Sequence, residues 1–188
     1  KKIIKKILKE GLIRFLQLVL WELINKVENK ILQKTIYKDH LKRFNLRRVI
    51  KKHILLHPII LKNNEYRYSN DEILNIISKN IDLIVRCGSG ILRGKILNCT
   101  KLGIISPHHG DNMNYRGGPA GFWEVYHKSP RTGFIYQMLT EELDGGTVVS
   151  RGYFPTKNYY LANQAQVMKR ANYYFNNVIL NIIKDRQV

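Results

Sequence analysis

With 188 residues, 44% of them hydrophobic, the chain can bury one substantial core, which excludes collagen-like and disordered classes. Lys and Arg number 32 against 14 acids, a net charge of +18. That surplus suits nucleic acid, phosphorylated substrates or an anionic membrane face, and it equally suits a composition biased throughout toward Ile, Asn, Lys and Tyr.

Residues 1–34 place Ile4, Leu8, Leu12, Phe15, Leu16, Val19, Leu23, Val27 and Ile31 near one face of a helix. The densest apolar part, 12–24, is interrupted by Arg14, Gln17 and Glu22 and falls short of the ~20 apolar residues that cross a bilayer. The expectation is a helix packed by this face on its domain or on a partner. A basic amphipathic helix lying on a membrane surface is the alternative. No small-residue cleavage site follows the apolar run, so it does not read as a signal peptide. Residues 35–52 read as a basic connector with room for a short helix. HILLHPIIL (53–61) reads as an edge strand interrupted by Pro58. The expected division is therefore 1–52, helical and basic, and 53–188, an α/β domain.

From residue 69 the pattern sharpens. Ser69 or Asn70 caps a helix with Asp71 and Glu72 in its first turn and Ile73, Leu74, Ile76 and Ile77 inward. A short strand over 82–85, the Gly88-Ser89-Gly90 turn, a helix over 91–99 and a strand over 102–106 form a βαβ unit. Its two strands should be parallel and its connection right-handed. A helical turn follows over 122–128, with Phe122 and Trp123 as core residues. Strands over 133–139 and 147–154 are joined by a tight turn. A closing helix over 160–184 turns Val167, Ala171, Phe175, Val178, Ile179 and Ile182 inward. Cys87 and Cys99 lie in or beside apolar runs at no disulfide or zinc spacing, which fits reduced thiols in a cytoplasm and no metal site.

Past the strand at 102–106 the chain turns polar, with His108, His109, Gly110, Asp111, Asn112 and Asn114, then Arg116 and a Gly117-Gly118-Pro119 break. Titratable residues just beyond a buried strand are where open α/β sheets place their ligand crevice. The glycine turn at 88–90 could offer backbone N–H groups to a phosphate, but it lacks both GxGxxG and a Walker lysine.

Two motifs make this region specific. Tyr115-Arg116-Gly117 follows His108, and Leu143-Asp144-Gly145-Gly146 closes the later turn. Together they resemble the folate-dependent formyltransferases, over residues 70–152. The resemblance implies a Rossmann-like α/β fold with a mostly parallel sheet flanked by helices, preceded here by the N-terminal amphipathic helix. It also implies transfer of a formyl group from 10-formyltetrahydrofolate to a primary amine. Such enzymes usually open with a strand, a glycine turn and a helix that do not precede residue 70 here, so a truncated N-terminus is expected.

By the same resemblance His108 is the catalytic imidazole and Asp144 the carboxylate that holds a water or that imidazole. Ser106 stands where the family has asparagine. Gly88, Gly90, Ile91 and Leu143 would border the folate. His109, Asp111 and Arg116 would face the acceptor; Arg116 also fits a loop anchor and His109 a structural residue. Acyl transfer needs a donor for the developing oxyanion and a group that exchanges protons near neutrality, which imidazole does. Serine has one O–H donor on a shorter arm than an asparagine amide. His109 or a backbone N–H is therefore the alternative oxyanion donor.

The expected acceptor is a small molecule, an amino sugar linked to a nucleotide or a lipid. A methionyl-tRNA formyltransferase-like enzyme is the second reading; positive charge favours it, and an ending in a helix rather than a β-barrel disfavours it. The third is a catalytically degenerate scaffold, which Ser106 favours. Peripheral membrane contact through residues 1–34 and a homodimer stay open.

Overall fold

The protein is described from a computed structural model that places residues 11–32, 45, 49–88, 90–142 and 145–185. The predicted helical positions Ile4 and Leu8, most of the connector at 35–52, and Leu143 and Asp144 lie outside the described residues. In chain order the elements are α1 (Leu12–Ile31), β1 (Ile59–Leu61), β2 (Glu65–Arg67), α2 (Asn70–Ile77), β3 (Ile84–Val85), β4 (Ile91–Leu92), β5 (Ile104–His108), α3 (Phe122–Tyr126), β6 (Arg131–Met138), β7 (Thr147–Pro155) and α4 (Tyr160–Lys184).

Four strands form the main sheet in the order β3-β5-β6-β7, and a smaller one runs β1-β2-β4. Strand β3 pairs β5 in parallel, Ile84 against Ile104, as the βαβ pattern requires. Both β5–β6 and β6–β7 are antiparallel, so the expectation of a mostly parallel sheet is corrected to a mixed one. For β6 and β7 the reason is local: only residues 139–146 join them, fewer than the crossover that a parallel pairing needs.

The predicted helix over 91–99 is also corrected. Ile91 and Leu92 join β2 as a strand, and Gly94–Asn98 is a short 3-10 helix. Gly94 has φ +77°, a left-handed conformation that breaks a right-handed helix at that point and that glycine adopts without a Cβ penalty.

Helix α2 carries a capping box. Ser69 accepts from the Glu72 backbone N–H while the Glu72 carboxylate accepts from Ser69. Ile73 and Ile76 are buried, whereas Leu74 and Ile77, expected inward, are exposed. With eight residues the helix spans barely two turns and can seat only one stripe.

Alternation along β5 sends neighbouring side chains to opposite faces of the sheet. Ile105 joins Phe134, Tyr136, Val167, Ala171 and Val178 beneath α4. Ile104 packs on the other face with Ile73, Ile76, Ile96, Leu97 and Cys99. Helix α4 begins and ends as predicted, with Phe175 and Ile182 partly buried against the same cluster.

Helix α1 departs from its sequence reading. The residues expected to pack, including Leu12, Leu16, Val19, Leu23, Val27 and Ile31, are exposed. The face against the body instead carries Trp21, whose ring lies 5.4 Å from Phe122 and 5.0 Å from Tyr160. Leu32 is buried beside them. Aromatic area and hydrogen bonds outweigh the longer aliphatic stripe at this contact. Phe122 is thus packed as expected, whereas Trp123 is 37% exposed.

Candidate active site

The β5–β6 register sets Ser106 opposite Gln137 and His108 opposite Ile135. Directly opposed residues share a face, and alternate residues along one strand do too. Ser106, His108 and Gln137 therefore stand together on the face away from α4. Ser106 and Gln137 are both buried, and Gln137 Oε1 has no hydrogen-bond partner among the described residues.

These three side chains line a cavity of about 280 Å³ that also takes in Arg86, Gly90, Ile91, Leu92, Leu139 and Glu142. It runs along β5 from His108 to the start of the β6–β7 turn. The Arg86 guanidinium donates to the Gly90 carbonyl and fixes the glycine turn as one wall. Glu142, two residues before Asp144 in the sequence, also lines the cavity.

His108 Nε2 lies 3.2 Å from the Tyr115 carbonyl. A carbonyl oxygen only accepts, so the proton sits on Nε2, and Nδ1 is the basic atom of the neutral ring. Tyr115 is itself held, its ring stacked 5.7 Å from His127 and its hydroxyl 3.2 Å from His127 Nδ1. Gly110 beneath the imidazole leaves no room for a side chain: a Cβ there would lie 2.9 Å from the Tyr115 carbonyl oxygen and 3.1 Å from His108 Nε2.

The polar loop is pinned at both ends. Asp111 accepts from Arg151 Nη1 at 2.8 Å, the Tyr153 hydroxyl at 3.1 Å, Met113 N at 3.2 Å and Asn114 Nδ2 at 3.1 Å. At the other end buried Asn163 donates to the Gly121 carbonyl at 2.8 Å. Arg116 Nε donates to the Asn112 carbonyl at 2.8 Å, the backbone anchor that the sequence allowed.

The buried His109 Nε2 has no hydrogen-bond partner among the described residues. Burial, assisted by the neighbouring His108, lowers its pKa from 6.5 to about 4, so the ring is neutral at physiological pH. Glu124 is buried too, and its Oε1 lacks a partner among the described residues. Burial is the main cause that raises its pKa; Asp111 adds to the rise, while its own backbone N–H and His108 oppose it.

Of the residues singled out from sequence, Ser106, His108, Gly90 and Ile91 meet at the cavity, while Gly88, His109, Asp111 and Arg116 do not line it. Asp144 and Leu143 fall outside the described residues. Sequence reading missed Gln137, Arg86 and Glu142. The signal for Gln137 was available: it is the one amide in the apolar run GFIYQML, and only pairing with β5 turns that oddity into a site. Among the described residues no cluster of three metal-binding side chains occurs.

No protein-family model matches the sequence, and no curated protein matches it. Solved structures do. Phosphoribosylglycinamide formyltransferase from Campylobacter jejuni aligns at TM-score 0.53 and 17% identity, over 60% of this chain and 60% of that one. Glycinamide ribonucleotide transformylase 1 from Symbiobacterium toebii aligns at TM-score 0.52 and 15% identity, over 58% of this chain and 53% of the other. A sugar N-formyltransferase from a Shewanella species aligns at TM-score 0.46 and 20% identity, over 60% of this chain and 47% of the other. The matched region thus spans no more than about three-fifths of each of these enzymes. The chain has the formyltransferase fold.

Proposed function

We propose that this protein is an N-formyltransferase that moves a formyl group from 10-formyltetrahydrofolate to a primary amine, with an amino sugar linked to a nucleotide or a lipid as acceptor. The observation that carries the reading is the convergence of Ser106, His108 and Gln137 on one cavity within this fold. The lining suits the co-substrate: Ile91, Leu92 and Leu139 offer apolar surface to a flat ring, and Gln137 Oε1, which has no partner among the described residues, is an acceptor that an N–H of a bound molecule would satisfy. Once bound, 10-formyltetrahydrofolate supplies an activated formyl carbon.

Each side chain then has a task. His108, protonated on Nε2 by its contact with Tyr115, takes the proton of the attacking amine on Nδ1 and returns it to the folate nitrogen as the bond from that nitrogen to the formyl carbon breaks, releasing tetrahydrofolate and the formylated amine. The Gln137 amide N–H and the Ser106 hydroxyl are the donors to the formyl oxygen, in place of the missing asparagine. Buried Gln137 is already desolvated, so turning its amide toward that oxygen costs little reorganisation. Asp144 keeps the role that the resemblance implies, holding a water or the imidazole. Arg86 shapes the Gly90 wall. In the loop after His108, the exposed Asn114 and Arg116 are the groups left to meet a polar acceptor.

The test is direct. The protein is incubated with 10-formyltetrahydrofolate and a panel of nucleotide-linked amino sugars, lipid-linked amino sugars and glycinamide ribonucleotide, beside a His108→Ala control. Formylated product that vanishes in the control supports the transferase, and the panel identifies the acceptor. Charged initiator tRNA is included, since product there alone would replace the small-molecule reading. Absence of folate binding would leave a scaffold.

A further inference from the structure

We propose that α1 is a membrane-docking helix whose outward apolar face lies on an anionic lipid surface. Positions 12, 16, 19 and 23 follow a 4-3-4 spacing, and Leu12, Leu16, Val19 and Leu23 form a continuous stripe flanked by Leu20 and Val27. All six are exposed, Leu16 at 56%, Leu20 at 59% and Leu23 at 52%. The helix has no buried residue of its own. It meets the body by the opposite face through Trp21 and Glu28, so nothing among the described residues covers the stripe. A row of leucines this long in water is unfavourable, and such patches mark interaction surfaces.

Charge chooses the occupant. Continuing the same spacing brings Lys26 and Lys30 onto the stripe, both exposed. In a helix pair with a second copy these lysines would occupy seam positions, where charge is costly. Two chains of net charge +18 would also repel. A lipid headgroup layer satisfies both features: the leucines enter the acyl boundary, and the lysine stems lie along the apolar surface with their ammonium groups among anionic phosphates. The sequence just before the helix adds Lys1, Lys2, Lys5, Lys6 and Lys9, a polybasic run of the kind that anionic leaflets attract.

The helix rests on the interface rather than crossing it. None of the helices searched among the described residues is long and apolar enough to span a membrane. Trp21 packs on Phe122, the first residue of α3 after the polar loop, so docking through α1 would hold that loop near the bilayer.

The experiment is vesicle co-flotation of the whole chain with phosphatidylcholine alone and with equal parts phosphatidylcholine and phosphatidylglycerol, at low and high salt, with oligomeric state measured by sedimentation. The expected result is a monomer that floats with anionic vesicles at least about tenfold more than with neutral ones, released by salt. The Leu16→Glu/Leu23→Glu variant, placed at exposed positions so that folding is retained by circular dichroism, should lose flotation. Lys26→Gln/Lys30→Gln should weaken it without changing the fold. Failure to float overturns the proposal, as does equal binding to neutral vesicles or undiminished binding by the leucine variant. A dimer that the leucine variant dissociates would assign the stripe to a second copy. Formyl transfer is not read in this assay, so its outcome is independent of the proposed activity.

Discussion

Glu28 of α1 caps the first turn of α4. Its carboxylate accepts from Tyr160 N at 2.9 Å and from Leu161 N at 2.6 Å, and the residue at the α4 N-cap, Tyr159, offers no side-chain cap of its own. An anion at a helix N-terminus satisfies donors that would otherwise be orphaned and complements the helix dipole. Glu28→Ala should therefore destabilise the chain by about 1–2 kcal/mol, in the range of other lost N-caps. Urea unfolding would show it, and Glu28→Gln should recover part of the loss.

The pairing of Ser106 with Gln137 makes a kinetic prediction. Gln137→Leu removes the amide from the cavity and should lower kcat for formyl transfer by about a hundredfold or more, as loss of one oxyanion donor does. Stability should hold or rise, because a buried group without a partner is replaced by an apolar one. A large drop in the thermal midpoint with unchanged kcat would remove Gln137 from the chemistry.

The Asp111–Arg151 pair predicts a structural defect. The Asp111 side chain is only 7% exposed and Arg151 27%, so Asp111→Ala removes the carboxylate that pairs the guanidinium and accepts from the Tyr153 hydroxyl, leaving Arg151 only the neutral acceptors Asn112 Oδ1 and Tyr153 Oη. A cost of about 1–3 kcal/mol is expected, that of leaving polar groups short of an acceptor rather than of a fully buried, unpaired charge. Limited proteolysis should then cut within residues 109–121 faster than in the parent chain.

His109 sets a pH dependence. With a folded pKa of about 4 against 6.5 when exposed, the unfolded chain binds the extra proton between those values. Stability is then full above 6.5 and falls as pH drops toward 4. Between pH 7.5 and 5 this group alone should remove about 2 kcal/mol. His109→Gln should flatten that loss in urea melts at the two pH values.

Glu124 acts in the opposite direction. Its folded pKa lies above the free value of 4.5, so the folded chain holds the extra proton and loses relative stability as pH rises from 4.5 through the folded value. Glu124→Gln should gain on the parent chain at pH 7 and not at pH 4. A variant that gains equally at both would show that folding leaves the Glu124 carboxyl at its free value.

Local chemistry was legible wherever a residue's role depends on its near neighbours in the chain. The Ser69–Glu72 box, the span of α4 and the strands around 131–155 follow from caps and periodicity that need no tertiary partner. The loop after β5 was legible for the same reason: a polar, glycine-broken run behind a buried strand can do little else.

What the sequence by itself determined is thus most of the elements and the place of a polar loop behind a buried strand, because these rest on short-range patterning; the assignment of His108 came from the resemblance. Tertiary structure alone decided which residues share that crevice and which faces are covered. Gln137 joined Ser106 only through β5–β6 register, and Asp111 was drawn to Arg151 from 40 residues away in the chain. The leucines of α1 stayed uncovered by the body because Trp21 and Glu28 found better partners on Phe122 and α4. Each of those outcomes is a competition between distant contacts, and no local pattern carries the energies of both competitors.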